Sequence, residues 1–394
     1  MPTTPYWPQP APRPPVAPPR HVDVVVVGGG ITGVCGAREL AARGVSVALL
    51  ERDRLAAGAS GRSAGFCLAG VAESYAGAVA RHGRGVARDV LAMTRRNHDR
   101  LLDLAGGRLP GHRRLGSLVV ATSPEEAAEL EESGELLAED GVPARWDPRP
   151  GAVPGASHGC LLIPGDGELD PAATVSALAA RLDASPSVAI CEGVDVTAVT
   201  ERGGAVEVRT TGGLVTAGAA LLAVNARTAS LAPGVPIGAV RAQMLATEPV
   251  GATIATWPTY ARRGFDYWRQ LPDGTLLVGG RRDADPDAEV GDEDAATATI
   301  QAALDRLRTD LGAGGAAVIR RWSGTMGFAP GGLPLVGAVE PGSRIAVCGG
   351  YTGHGLGFAA ECSLLAVEVL LDGATPPAHL DVARRPVPAG AGRL

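Results

Sequence analysis

Three short glycine-rich runs carry the plainest chemistry in this chain. Gly28-Gly29-Gly30-Ile31-Thr32-Gly33 follows the apolar run Val22-Asp-Val-Val-Val-Val27, and Glu51 stands 18 residues beyond Gly33. This is the spacing of a strand, a tight turn, a helix and a second strand ending in an acid, and it suits a dinucleotide. Gly28 permits the turn, Gly30 lets backbone approach a pyrophosphate, and Gly33 lets the helix close on the strand. The helix N-terminus, with Ile31 and Thr32 in its first turn, faces the phosphate charge. Glu51, with Arg52 beside it, is placed to accept hydrogen bonds from an adenosine ribose. Gly58 to Gly65 (GASGRSAG) is built of small residues that let a flat ligand lie against backbone. Gly349 to Gly357 (GGYTGHGLG) opens another helix, as a second face of one long cofactor would.

Aromatic residues are scarce, with 4 Phe, 5 Trp and 5 Tyr in the chain, so their clustering is informative. Five of them fall between positions 257 and 268: Trp257, Tyr260, Phe265, Tyr267 and Trp268. Arg269 follows, and the next apolar run ends in Arg281-Arg282. Aromatic faces attract an amine by roughly 0.5–2 kcal/mol and exclude water. Ordinary sheet packing would use the same residues. Strand alternation puts Tyr267 and Arg269 on one face and Trp268 on the other, so not all of them can line a pocket. Trp322 and Tyr351 complete the aromatic candidates. Arg269, Arg281 and Arg282 are candidates for a distal carboxylate, with surface ion pairing expected for at least two of the three.

These residues need a framework to position them. Val22–Val27 reads as a strand buried on both faces, followed by a helix to about residue 43 and a strand over 45–50. Helices are expected over 85–105, from Ser123, over 170–183 capped by Asp170, over 292–311 and from the last glycine loop to about 371. Strands are expected near 116–122, 188–191, 194–199, 205–210, 219–224 and 344–348, with β alternation through 236–282. The first twenty residues hold nine prolines and no apolar stretch, so a loose arm is expected rather than a secretory signal. The tail is expected to be loose as well.

Composition bounds the answer. A chain of 394 residues that is 45% hydrophobic has material for two domains and is not disordered. A net charge of −6 argues against a nucleic-acid partner. No apolar run is long enough for a membrane span. Six scattered cysteines read as buried packing residues of a cytoplasmic protein. No metal site is apparent: Asp283-Ala-Asp-Pro-Asp lacks the glycine and glutamate of a calcium loop. Lysine is absent, all 36 basic residues being Arg. Every mechanism that needs a lysine is therefore excluded.

Taken together, the motifs resemble the D-amino-acid oxidase, glycine oxidase and sarcosine oxidase family of FAD-dependent enzymes, and look closest to its gamma-glutamylputrescine oxidase-like branch. The resemblance spans roughly residues 20–375. Its carriers are the three glycine runs with Glu51, Leu169-Asp-Pro171, Ala223-Val-Asn-Ala226, Trp322-Ser-Gly-Thr-Met-Gly-Phe-Ala-Pro330, and Leu333-Pro-Leu-Val-Gly337. It implies an α/β plus α+β fold, with a discontinuous Rossmann-type FAD-binding domain and an inserted antiparallel-sheet substrate domain. The expected division is 1–20 arm, 21–84 with 156–235 and 321–375 for FAD, 85–155 with 236–320 for substrate, and 376–394 tail.

The resemblance also implies roles. Gly28, Gly30 and Gly33 would hold the pyrophosphate and Glu51 the ribose. Ser60, Arg62 and Ser63 would touch the diphosphate and ribityl stretch, with Ala64 and Gly65 beside the flavin ring and the strand of Val196 beside adenine. Asn225 and Gly350 would support the cofactor, while Gly353, His354, Gly355, Leu356 and Gly357 approach the pyrimidine end. Where amino-acid-oxidising relatives carry a carboxylate-gripping Arg, this chain has Met326, followed by Gly327. No cysteine occupies the segment through which some relatives attach flavin, so FAD is expected to be non-covalent. The lysine that some relatives use to assist oxygen is absent.

The implied activity is oxidation of a C–N bond in a small amine or amino acid, with hydride passing to flavin N5 and the imine hydrolysing. Oxygen, giving peroxide, or another acceptor would reoxidise the flavin. Two other readings stay open: a tailoring flavoenzyme acting on an unusual N-linked bond, and a flavin-binding subunit without catalysis of its own.

Overall fold

The computed structural model describes residues 3–151 and 153–384. The first sheet runs, in spatial order, Leu335–Ala338, Ile345–Gly349, Gly213–Leu222, His21–Val27, Val47–Leu50 and Val188–Cys191. Four of the five pairings along this path are parallel, and the edge strand Leu335–Ala338 is antiparallel. The hairpin strands Val196–Arg202 and Ala205–Thr210 extend Gly213–Leu222 away from this path. The run of valines in the N-terminal strand has a direct explanation. Val24 and Val26 pack under the helices, while Val25 and Val27 pack beneath the hairpin, so both faces are dry. Helices Ile31–Ala42 and Gly355–Asp372 lie together on the first of these faces.

The second sheet has the order Val318–Phe328, Gly238–Pro249, Thr275–Gly280, Asp266–Gln270, Thr259–Ala261, Ser117–Val120, Cys160–Ile163 and Arg145–Asp147. All its pairings are antiparallel except Thr259–Ala261 with Ser117–Val120. Helix Ala298–Arg308 covers one face through Ile300, Leu304 and Leu307. The other face turns toward the first sheet. A two-stranded ribbon, Phe66–Cys67 with Gly167–Glu168, joins the halves.

Two strands and one helix lie elsewhere than the expected division puts them. Cys160–Ile163 and Val318–Phe328 belong to the second sheet, although 156 and 321 were expected to begin cofactor-binding stretches. Helix Arg84–Ala105, expected with the substrate half, buries Val90, Met93, Leu101 and Ala105 in the core of the first half. Its apolar stripe fits helix Gly355–Asp372, a partner that local periodicity does not name.

Both termini also depart from the expected looseness. Trp7 is buried and its Nε1 donates to Ser63 O at 2.8 Å, while Gln9 Nε2 donates to Gly61 O at 3.3 Å. Arg62 donates to Thr3 O at 2.7 Å, and the Thr3 hydroxyl accepts from Ser323 N–H at 3.0 Å. A proline-rich backbone offers few donors, but a handful of side chains anchors it here. At the other end, Val336 N–H donates to Leu380 O at 2.8 Å and Val382 N–H to Val336 O at 3.1 Å. Arg384 donates to the carbonyls of Pro330, Leu333, Pro334 and His379. The rest of the expected tail, 385–394, lies outside the described residues.

Candidate functional site

Strand ends of the first sheet and the inward face of the second enclose one long cleft. At its near end Gly28 takes φ +107° and donates its N–H to Leu50 O at 2.8 Å. A Cβ on Gly33 would run into Gly28 O, so glycine alone lets helix Ile31–Ala42 close on the turn. That helix has no acidic residue in its first turn, and the Ser60 hydroxyl accepts the Ile31 N–H at 2.9 Å. The Glu51 carboxylate accepts from Gly29 N–H at 2.6 Å and Asp53 N–H at 2.8 Å. Burial raises its pKa, and the two donors pull it back. Arg52 and Val196 line the same end.

The middle of the cleft is walled by Ser60, Arg62, Ser63 and Ala64. The Arg62 guanidinium turns away, donating to Ser323 O at 2.7 Å and pairing with Asp294. At the far end, Gly353 to Gly357 present the start of helix Gly355–Asp372, again with no acid in its first turn. Asn225 lines this end and its Oδ1 accepts Gly350 N–H at 3.0 Å. The Tyr351 hydroxyl lies 2.9 Å from Thr32 Oγ1 and 3.2 Å from Cys348 Sγ, and burial pushes its pKa up.

An aromatic group faces this end. Tyr260 stacks on His354 with centroids 5.7 Å apart, and meets Phe66 and Tyr267 edge-on at 5.4 and 5.9 Å. Tyr267 lies across Gly279, its partner on the neighbouring strand, where any side chain would strike the ring. Burial pulls the His354 pKa down to about 4, so the imidazole is neutral at pH 7. Its buried Nδ1 makes no well-aligned hydrogen bond among the described residues, with the Thr352 backbone near enough to interact with the ring.

Most of the expected site residues meet in this cleft: Gly28, Gly30, Ile31, Thr32, Glu51, Arg52, Ser60, Arg62, Ser63, Ala64, Val196, Asn225, Gly353, His354, Gly355, Leu356, Gly357, Tyr267, Met326 and Tyr351 line it. Gly33, Gly65 and Gly350 sit just behind, shaping the backbone. Three of the expected catalytic residues are placed elsewhere. Trp268 points to the opposite face of its strand and packs with Ile300 and Leu304. Trp322 is fully buried, its Nε1 donating to Arg62 O at 2.9 Å. Arg269 lies on the inward face but below the cleft floor, donating to Gly65 O at 3.1 Å and Leu169 O at 3.0 Å. Its Nε is 3.4 Å from Glu168 Oε2, and Trp7 lies under the guanidinium. Phe66 and Phe328 line the cleft without having been candidates. Their only sequence signal is position, immediately after Gly65 and two residues after Met326.

A smaller apolar chamber opens beside the cleft, sharing Leu68, Ala72, Tyr260 and His354 with it. Asp166 sits in its wall, accepting from Ser117 Oγ at 2.6 Å and Ala69 N–H at 2.9 Å. Burial pushes the Asp166 pKa up to about 7 from 3.8. The folded protein thus holds a proton that the unfolded chain releases, and stability falls as pH rises from about 4 to 7. Asp166→Asn, uncharged throughout, should flatten that part of a pH–stability curve and stabilise the protein at pH 8. Denaturant midpoints at pH 5 and 8 measure it; an unchanged slope would contradict the assignment.

The residues fit the expected dinucleotide on three observations. Two helix N-termini without acidic side chains converge on one cleft. A carboxylate is fixed at the near end, and a buried imidazole nitrogen is left without a well-aligned partner at the far end. A family model described as FAD dependent oxidoreductase (DAO) matches residues 23–369. A probable oxidoreductase OrdL of Rhizobium meliloti (strain 1021) is 28% identical over 385 residues, covering 90% of this chain and 84% of the relative. A 4-methylaminobutanoate oxidase (formaldehyde-forming) of Paenarthrobacter nicotinovorans is 27% identical over 382 residues, covering 90% of this chain and 44% of that longer protein. The crystal structure of glycine oxidase from Geobacillus kaustophilus superposes with a TM-score of 0.78 at 23% identity, covering 93% of this chain and 100% of the other.

Proposed function

The chain belongs to the FAD-dependent oxidoreductase (DAO) family, and from that premise we propose that it oxidises a C–N bond of a small amine or amino acid held at the far end of the cleft. The single observation that carries this reading is the convergence of Tyr260, Tyr267, Met326 and Tyr351 with the glycine-rich start of helix Gly355–Asp372.

Bound non-covalently, the flavin would supply the hydride acceptor for the carbon next to the nitrogen. Glu51 would hold the ribose hydroxyls, and the backbone of Gly28 to Thr32 with Ser60 would hold the pyrophosphate. The N-terminus of helix Gly355–Asp372 would stabilise negative charge at the pyrimidine end. Tyr260, Tyr267 and Phe66 would exclude water from the reacting nitrogen and its neighbouring carbon. His354 is neutral at pH 7, and its Nδ1, without a well-aligned partner, could hydrogen-bond to cofactor or substrate. No side chain is assigned as an obligatory general base.

The test is anaerobic. The purified protein should carry flavin released by acid precipitation, and a panel of amines, N-methylamines and amino acids should bleach its visible absorbance. Repeating the active compounds in air with peroxide detection separates oxygen from another acceptor. Protein that binds no FAD overturns the reading. A flavoprotein that no C–N substrate reduces favours the non-catalytic subunit.

A further inference from the structure

Five arginines border the aromatic strands, and four of them are used internally, Arg262 on Asp266 and Asp283 and Arg263 on Glu129. Arg269 is spent on Gly65 O, Leu169 O and Glu168. Arg281 places Nε 2.8 Å from Asp266. Arg282 differs. Its guanidinium makes no hydrogen bond or ion pair with any described residue, yet it is half-buried in the cleft wall. The nearby acids are already engaged, Asp283 by Arg262 and Asp266 by Arg262 and Arg281.

The guanidinium carbon lies over Phe265 at 4.2 Å and near Phe328 at 5.6 Å from the ring centroids. Ring faces can hold the plane of an arginine but cannot satisfy its five N–H donors. Those donors keep their capacity for an acceptor that the described residues do not provide. A planar fork of this kind matches a carboxylate, which it can grip with two parallel hydrogen bonds.

We propose that Arg282 is the anion anchor of this site, so that the molecule oxidised is an amine bearing a carboxylate rather than a simple amine. The inference rests on the function proposed above and narrows its substrate class. The acid would meet Arg282 at the aromatic wall, leaving the nitrogen and its neighbouring carbon among Tyr260, Tyr267 and Met326. Arg282 is then a specificity-determining residue and leaves cofactor binding untouched.

The flavin-loaded protein tests this at equilibrium, through perturbation of its visible spectrum by benzoate and by benzamide. Benzoate should bind the unmodified protein more tightly than benzamide. Arg282→Leu should weaken benzoate by about 10–100-fold, leave benzamide unchanged and keep the flavin content. Arg282→Lys should recover part of the loss. With the substrates found above, KM should rise for the amino acid but not for the corresponding amine without its acid. Arg282→Gln repeats the measurement should the Leu variant fold poorly. Equal binding of acid and amide to unmodified protein, or benzoate binding that survives both substitutions, overturns the proposal while leaving amine oxidation intact. Protein that cannot be loaded with flavin fails the functional reading itself, and this proposal with it.

Discussion

Gly33→Val should yield protein that purifies without flavin. The Cβ of any residue at Gly33 would collide with the Gly28 carbonyl, and it would also approach Val26 Cγ1 at 3.4 Å. The first obstacle is backbone, so no rotamer change relieves it. Helix Ile31–Ala42 must move outward, carrying its N-terminal N–H groups away from the pyrophosphate and loosening its packing against the sheet. Overpacking of this kind typically costs about 1–3 kcal/mol of stability. FAD affinity should fall as well, by about 100-fold or roughly 2.7 kcal/mol. The ratio of visible to ultraviolet absorbance after purification gives the occupancy, titration of the stripped protein with FAD gives the affinity, and a denaturant midpoint gives the stability. A Gly33→Val protein with full flavin occupancy would mean that the helix N-terminus is not where the phosphates bind.

Arg269→Met should behave as a fold defect and not as a specificity defect. Arg269 is 2% exposed, and its guanidinium ties Gly65, next to the cleft wall, to Leu169 and Glu168. Burial lowers its pKa to about 10, so it remains charged at pH 7. Removing it leaves two carbonyls without this donor and Glu168 with Arg113 as its remaining ion-pair partner. Breaking a buried pair from one side costs about 3–5 kcal/mol, and the surviving Arg113 contact favours the lower end. Flavin occupancy should fall with stability, because Gly65 loses its anchor. At saturating FAD, substrate KM should change little. A stable, fully loaded variant with a greatly raised KM would instead place Arg269 in direct contact with substrate.

The contrast between Arg269 and Arg282 shows what could be read in advance. Alternation placed Tyr267 and Arg269 on one face of their strand and Trp268 on the other, and the structure has them so. Alternation does not say how deep each position on a face lies. Tyr267 reaches the cleft, whereas Arg269 is capped by the N-terminal arm through Trp7. That arm was unreadable for a related reason. Its proline content predicts few backbone hydrogen bonds, and its docking depends on Trp7, Gln9 and Thr3 meeting Ser63, Gly61, Arg62 and Ser323. Trp322 was misplaced likewise: its indole N–H is taken up by Arg62 O, a partner far along the chain.

The sequence by itself determined where the backbone must bend and be approached: the turn at 28–33, the small-residue run at 58–65 and the helix start at 349–357. Those features are local, because steric freedom at a glycine and the polarity of a helix end need only a few neighbouring residues. The family and its cofactor follow from them. Only the tertiary structure decided which side chains are free to act on a substrate. An arginine is available or not according to acids and carbonyls brought to it from other elements, as Glu168 is to Arg269 and Asp266 to Arg281. Arg282 stands out because, among the described residues, folding supplied its neighbours with ion-pair partners and set its guanidinium over aromatic rings instead.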